Sequence, residues 1–187
     1  IGGWAVYLYT QALKSKDIDM VVDFSQLGVL KKDFVLEKND RLKKYQIKIE
    51  SIDIDIYLPH YSNLGLPVEV IGEKPVLING FALPAKEILL LTKLTAFAGR
   101  RESVKGQKDL IDIVSLILID DFNFTYLNRL VKQYRLGSLK DNLRQILSQT
   151  REVEELTLNR HCFAKIRKEL LAKFGWCAGE DVVDTFL

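Results

Sequence analysis

The sequence predicts an α+β fold, with a mixed-sheet core in the first half of the chain and a C-terminal helical bundle after it. Three observations carry this expectation. Period-two alternation of apolar residues, the mark of a strand, is confined to the first half. Helical spacing of Leu and Ile runs from Pro84 onward. Strands gathered ahead of helices is the element order of α+β architecture. The expected division is a core over residues 1–119 and a helical region over residues 120–187.

Residues 4–13 are expected to be a helix: Trp4, Val6, Tyr7 and Leu8 are apolar, Ala5 and Ala12 are good helix formers, and no breaker intervenes. Residues 17–24 read as a strand, with Ile18, Met20 and Val22 alternating against Asp17, Asp19, Val21 and Asp23. Residues 25–44 are charged and irregular or partly helical. Residues 45–58 form the clearest strand, built on Ile47, Ile49, Ile52, Ile54 and Ile56. Its phase slips by one around Ser51, which predicts a bulge. Residues 59–80, with Pro59, Pro67 and Pro75, read as loop plus short strands, residues 75–78 being the best candidate. Pro84 opens a helix that runs to about Ala98 and is capped by Gly99. Gly106 precedes a second helix over residues 107–119. Asp120, Asp121 and Asn123 offer N-cap chemistry for a third, residues 124–136, ended by Gly137. Residues 138–149 form a fourth, and residues 152–174 are mostly helical, with Gly175 ending them.

The 187 residues suffice for one domain, or for one domain with a helical appendage. Hydrophobic residues at 48% and charged residues at 28% exclude the disordered class. A net charge of +2 does not announce a nucleic-acid binder. His60 and His161 are far apart, and Cys162 and Cys177 form no Cys-x-x-Cys pair, so no zinc spacing exists. Two sparse cysteines suit a reducing cytoplasm, and cytoplasmic localisation is expected. No apolar run approaches the roughly 20 residues that span a bilayer, and no signal peptide is visible. The chain opens on Ile1-Gly2-Gly3 with too few residues before the glycines to form an element, and a strand upstream of them is expected.

Carboxylates dominate the chemistry. Asp17 and Asp19 are two apart on one expected strand, so both side chains leave the same face. Adjacent carboxylates repel, and the arrangement is costly unless a cation sits between them. Hard oxygen ligands of this kind favour Mg²⁺ or Mn²⁺. Asp53 and Asp55 repeat the pattern on the later strand. If the two strands are neighbours, three carboxylates converge, and two metals about 3.5–4 Å apart can then serve an in-line displacement at phosphorus. Gly2-Gly3 ahead of a helix lets backbone amides approach a triphosphate, with the positive helix end behind them.

Ile1-Gly2-Gly3-Trp4-Ala5-Val6, followed by Lys16-Asp17-Ile18-Asp19-Met20-Val21-Val22, resembles the signature of the polymerase-beta-type nucleotidyltransferase superfamily. It is most similar to the minimal and abortive-infection-toxin branch and to the aminoglycoside and lincosamide nucleotidyltransferases. The resemblance implies a nucleotidyltransferase-type mixed sheet. It implies an NTP held by Gly2 and Gly3, and one or two Mg²⁺ ions held by Asp17 and Asp19. It also implies a third carboxylate that completes the site; Asp55 fits the pattern better than its rival Asp53, because it directly precedes Ile56-Tyr57-Leu58. It extends to residues 84–112, where Lys93, Arg100 or Arg101, and Lys108-Asp109 with Asp112 match a lysine, an arginine and a basic–Asp pair in relatives. Lys93 is thereby implied as a nucleotide ligand. The matching segments span about residues 1–119, and residues 120–187 match nothing nameable. One departure is Lys14-Ser15-Lys16, where many relatives have an Arg and a Thr; a lysine lacks the bidentate fork of arginine.

The implied activity is Mg²⁺-dependent transfer of a nucleotidyl group from an NTP to a hydroxyl of RNA, protein or a small molecule. The catalytic and metal-ligating residues would be Asp17, Asp19 and Asp55. The alternative is a non-catalytic protein of the same fold, acting with an antitoxin partner or as a regulatory binding module. A third is an unrelated α+β binding domain. Lys31, Lys32, Lys38, Arg41, Lys43 and Lys44 outnumber nearby acids and could meet an RNA backbone if they overlie the site; a charged surface is the plainer reading. His161, Cys162 and Cys177 read as structural. Trp4, Tyr7 and Tyr9 read as core and rim residues.

Overall fold

The computed structural model describes residues 1–176. The elements run α1 (Gly2–Thr10), β1 (Ile18–Val21), α2 (Phe24–Asp33), β2 (Glu37–Asn39), β3 (Lys44–Ile49), β4 (Ile52–Tyr57), α3 (Val68–Gly72), β5 (Val76–Ile78) and β6 (Phe81–Leu83). Then come α4 (Lys86–Ala98), α5 (Val104–Ile117), α6 (Phe124–Gln133), α7 (Gly137–Gln149), a short 3-10 turn (Glu154–Leu156) and α8 (Arg160–Lys173). The α+β class and the mixed sheet stand as expected, with helices filling the C-terminal region.

The main sheet has the order β1-β4-β3-β2, with β1 parallel to β4 and the other pairs antiparallel. Here the expectation of one long strand with a bulge over residues 45–58 is corrected. Ile49 pairs with Ile52, so the chain reverses at Glu50-Ser51 and residues 45–58 form a hairpin. Glu50 takes φ 53°, the positive value that two-residue hairpin turns demand. The apparent phase slip is the turn itself. No Gly or Asn marks it.

Directly opposed residues share a face. Ile18, Met20, Ile54, Ile56, Tyr45 and Ile47 therefore lie on one side, where α2 supplies Leu27 and Leu30 to a small core. Asp19, Val21, Asp55, Tyr57, Gln46 and Lys44 lie on the other. That second side faces the larger core, which joins Ala5 and Val6 of α1 to α4, α5, α6, α7 and Phe163 of α8. α2 itself is announced by Asp23 and Gln26: Gln26 Oε1 accepts from the Asp23 amide at 3.0 Å, half of a capping box.

α4 and α5 start two or three residues away from where Pro84 and Gly106 suggest. Gly106 is inside α5, whose cap is Ser103; its hydroxyl accepts from the Gly106 amide at 3.0 Å. A Cβ at residue 106 would lie 2.2 Å from the Arg100 carbonyl oxygen, so the glycine permits a close chain crossing rather than breaking a helix. Gly137 begins α7 instead of ending α6, a role that falls to Arg135 at φ 55°. The mostly helical residues 152–174 are split by Thr157 at φ 56°. Buried Glu87 of α4 ties in α6 by accepting from the Asn123 amide at 2.6 Å. No helix among the described residues is long and apolar enough to cross a membrane. His161 and Cys162 are exposed on the first turn of α8, not packed in a core. Cys177 lies outside the described residues.

Candidate active site

The parallel β1–β4 pair sets the site. Asp19 is the register partner of Asp55, so their carboxylates leave neighbouring strands on one face. Asp53 stands one pleat nearer the turn, exposed and opposite Lys48. α1 closes the third side. Gly2 has φ +69°, and a Cβ there would lie 2.0 Å from Asp19 Oδ2. Gly3 is packed on Ser15, whose Cβ and Oγ would lie 2.9 Å from an added Cβ. The Ile1 nitrogen donates to the Asp19 carbonyl at 2.8 Å, which fixes the start of α1 against β1. Both glycines are thus required by close approach, and the N-terminal end of α1 looks onto Asp19.

Charges accumulate around this pair. Tyr57 Oη donates to Asp19 Oδ1 over a long 3.4 Å. Burial, and then the Asp55 charge, raise the Asp19 carboxyl above the usual carboxylate range, while Lys93 and Lys44 pull it back. Burial, followed by the charges of Asp19 and Asp55, pushes the Tyr57 phenol well above its ordinary value, so it stays a hydrogen-bond donor. Asp55 is held from β3: Gln46 Nε2 donates to Oδ1 at 2.8 Å, and Lys44 Nζ is ion-paired to Oδ2.

Asp17 lies ahead of β1, outside the paired register, and meets Lys105 Nζ at 3.2 Å. Lys93 is buried in α4 and bound by two buried carboxylates of α5, Asp112 at 2.6 Å and Asp109 at 3.2 Å. Burial works against its charge, but these two acids outweigh it and hold the ammonium above its ordinary pKa. Arg100 Nε donates to the other Asp109 oxygen at 2.7 Å, and that bond stabilises its charge. Lys93 and Arg100 both act electrostatically on Asp19.

The structure therefore brings Asp19, Asp55 and Gly2 together, with Lys93 behind them and Asp17 and Gly3 at the margin. Among the described residues, no three His, Cys, Asp or Glu side chains are grouped so as to hold a metal ion. Sequence reasoning passed over Lys44, Gln46 and Tyr57 as site residues. Their signal was present in the alternation of Lys44-x-Gln46 and Asp55-x-Tyr57, but it needs the hairpin turn at Glu50-Ser51 to be read.

The site thus belongs to an α+β protein with a half-buried acidic pair under a glycine-opened helix. No family model matches the chain, and no curated protein matches it. Among solved structures, it is similar to an antigenic nucleotidyltransferase-like protein from Paracoccidioides brasiliensis. The identity is 20% and the TM-score 0.40, over 77% of this chain and 82% of that one.

Proposed function

We propose that the protein is a nucleotidyltransferase. The carrying observation is Asp19 opposite Asp55, packed closely against Gly2. Burial and like charge raise the Asp19 carboxyl, and a divalent cation relieves both. Two oxygen-donor acids fit Mg²⁺ or Mn²⁺, which accept few protein carboxylates and keep other positions for water and phosphate. Asp19 would hold the ion, with Asp17, two residues before it, as the second acid, while Asp55 is already charge-balanced by Lys44. Once bound, it would polarise phosphate oxygens and neutralise charge developing on them.

The chain's own groups do the rest. Amides at Gly2 and Gly3, at the positive end of α1, would meet a triphosphate. Lys93 and Arg100 add positive potential behind Asp19, though Lys93 acts across its ion pairs with Asp109 and Asp112. An acceptor hydroxyl oxygen bonds to the α-phosphorus, the bond to pyrophosphate breaks, and the hydroxyl proton passes to a carboxylate or to solvent. The acceptor class stays open among RNA, protein and small molecule. Incubation with α-labelled NTPs, Mg²⁺ and cell extract is the test. The reading requires label on an acceptor with the parent chain, and none with Asp19→Asn.

A second reading has its own support. Lys44 already neutralises Asp55 and Lys105 neutralises Asp17. Those pairs suit a non-catalytic member of the fold, serving in a toxin–antitoxin pair or as a regulatory module. In that case Asp17→Ala with Asp19→Ala leaves the cellular effect of the chain unchanged.

A further inference from the structure

The two lysine–carboxylate pairs at the site differ in kind. Lys105 and Asp17 are open to water, their side chains 66% and 37% exposed. Such a pair is weak and yields readily to another partner. Lys44 and Asp55 are enclosed, at 11% and 14% exposure. Breaking a buried pair strands a charge and is strongly opposed. The pair is also fixed by the fold. Lys44 and Gln46 share the face of β3 that looks onto Asp55, and Gln46 takes the remaining Asp55 oxygen. The opposite side of the same strand is anchored by buried Ile47 in the small core, which fixes the backbone that presents Lys44 to Asp55.

We infer that Lys44 is a built-in cation at Asp55, and that the site consequently takes one divalent ion, on Asp19, instead of two. This rests on the divalent-cation reading above. Asp19 is suited to that ion: it is partly buried, and among the described residues its carboxylate accepts one side-chain hydrogen bond, the long one from Tyr57, and is ion-paired to no lysine. Asp17 joins it once Lys105 gives way. Lys44 meanwhile holds the charge balance at Asp55, where a second ion would otherwise be needed. The geometry also makes Lys44 a competitor: any metal seeking Asp55 must displace a buried ammonium, and its apparent affinity falls by the fraction of Asp55 left free.

The test is Mn²⁺ binding to the full chain, followed by the electron paramagnetic resonance of free Mn²⁺. The parent chain is expected to bind one ion, as is Lys44→Arg, which keeps the cation. Lys44→Gln is expected to gain a second ion or to tighten Mn²⁺ binding at least about tenfold, and Asp55→Asn added to it is expected to abolish that gain. Two ions in the parent chain overturn the inference, whether or not Lys44→Gln folds. A folded Lys44→Gln with unchanged affinity and stoichiometry overturns it too, while leaving the divalent-cation reading intact. If neither chain binds Mn²⁺, both the inference and the reading beneath it fail.

Discussion

Asp19 stands directly across the β1–β4 pair from Asp55, and each carboxylate is balanced by a different means. Asp55 has Lys44 and Gln46. Asp19 has the long bond from Tyr57, the distant fields of Lys93 and Lys44, and close packing against Gly2.

The imbalance predicts a pH dependence. The Asp19 carboxyl is raised above its ordinary value by burial and by Asp55. A raised acid contributes stability that is fully present below the unfolded pKa and is lost as pH rises through the folded pKa. Asp19→Asn removes that loss. It is expected to raise Tm at neutral pH by about 2–4 °C, and the gap should close below about pH 3.9, the ordinary Asp value. A Tm difference that is the same at both pH values would show that Asp19 titrates normally.

Two glycines with similar backbone angles separate space from conformation. Gly2 at φ +69° meets Asp19 Oδ2, whereas Gly80 at φ +81° has nothing within 4 Å. Gly80→Ala should cost about 1 kcal/mol, the left-handed penalty alone. Gly2→Ala should cost about 2 kcal/mol more, since the methyl must push Asp19 or α1 aside. Urea titrations of the two variants decide it; equal losses would mean that Asp19 moves freely.

Gly106 reverses an ordinary rule. Gly→Ala inside a helix usually stabilises by about 0.5–1 kcal/mol. Here the methyl would lie 2.2 Å from the Arg100 carbonyl oxygen and 2.6 Å from that of Arg101. The expected outcome is destabilisation by about 1–3 kcal/mol, measured by denaturant unfolding, and a gain in stability would refute the close crossing.

Asp109 holds two cations, Lys93 at 3.2 Å and Arg100 at 2.7 Å. Asp109→Asn should destabilise by about 1–3 kcal/mol, because Lys93 keeps Asp112 but loses its second buried acid. Lys93→Met should cost less in that chain than it does alone, since it then strands one buried acid, Asp112, instead of two. A double-mutant cycle reads the coupling, and strict additivity would show that the two groups do not depend on each other.

Much of this was legible beforehand. Asp17-Ile18-Asp19, Gly2-Gly3 and the helical spacing of Ile88, Leu91 and Leu94 mark the acidic strand, the close turn and the core helix in sequence alone. What stayed hidden depends on reversals and on burial. Glu50 adopts a hairpin conformation that its residue type rarely takes, so the strand pairing, and with it the positions of Lys44 and Gln46, could not be read. Lys93 appears in sequence as a lone cation on an apolar helix, and only the packing of α4 on α5 shows that it is already bound by Asp109 and Asp112. Gly106 and Gly137 look like helix breakers, yet one permits a chain crossing and the other opens a helix.

The most direct test of the central claim is an anomalous difference map from crystals grown with Mn²⁺ and a non-hydrolysable NTP. The account predicts a peak within ligand distance of the Asp19 carboxylate, about 2.0–2.2 Å for a small divalent ion, with the triphosphate against Gly2 and Gly3. A nucleotide and metal bound away from Asp19, or no peak at saturating Mn²⁺, would contradict it.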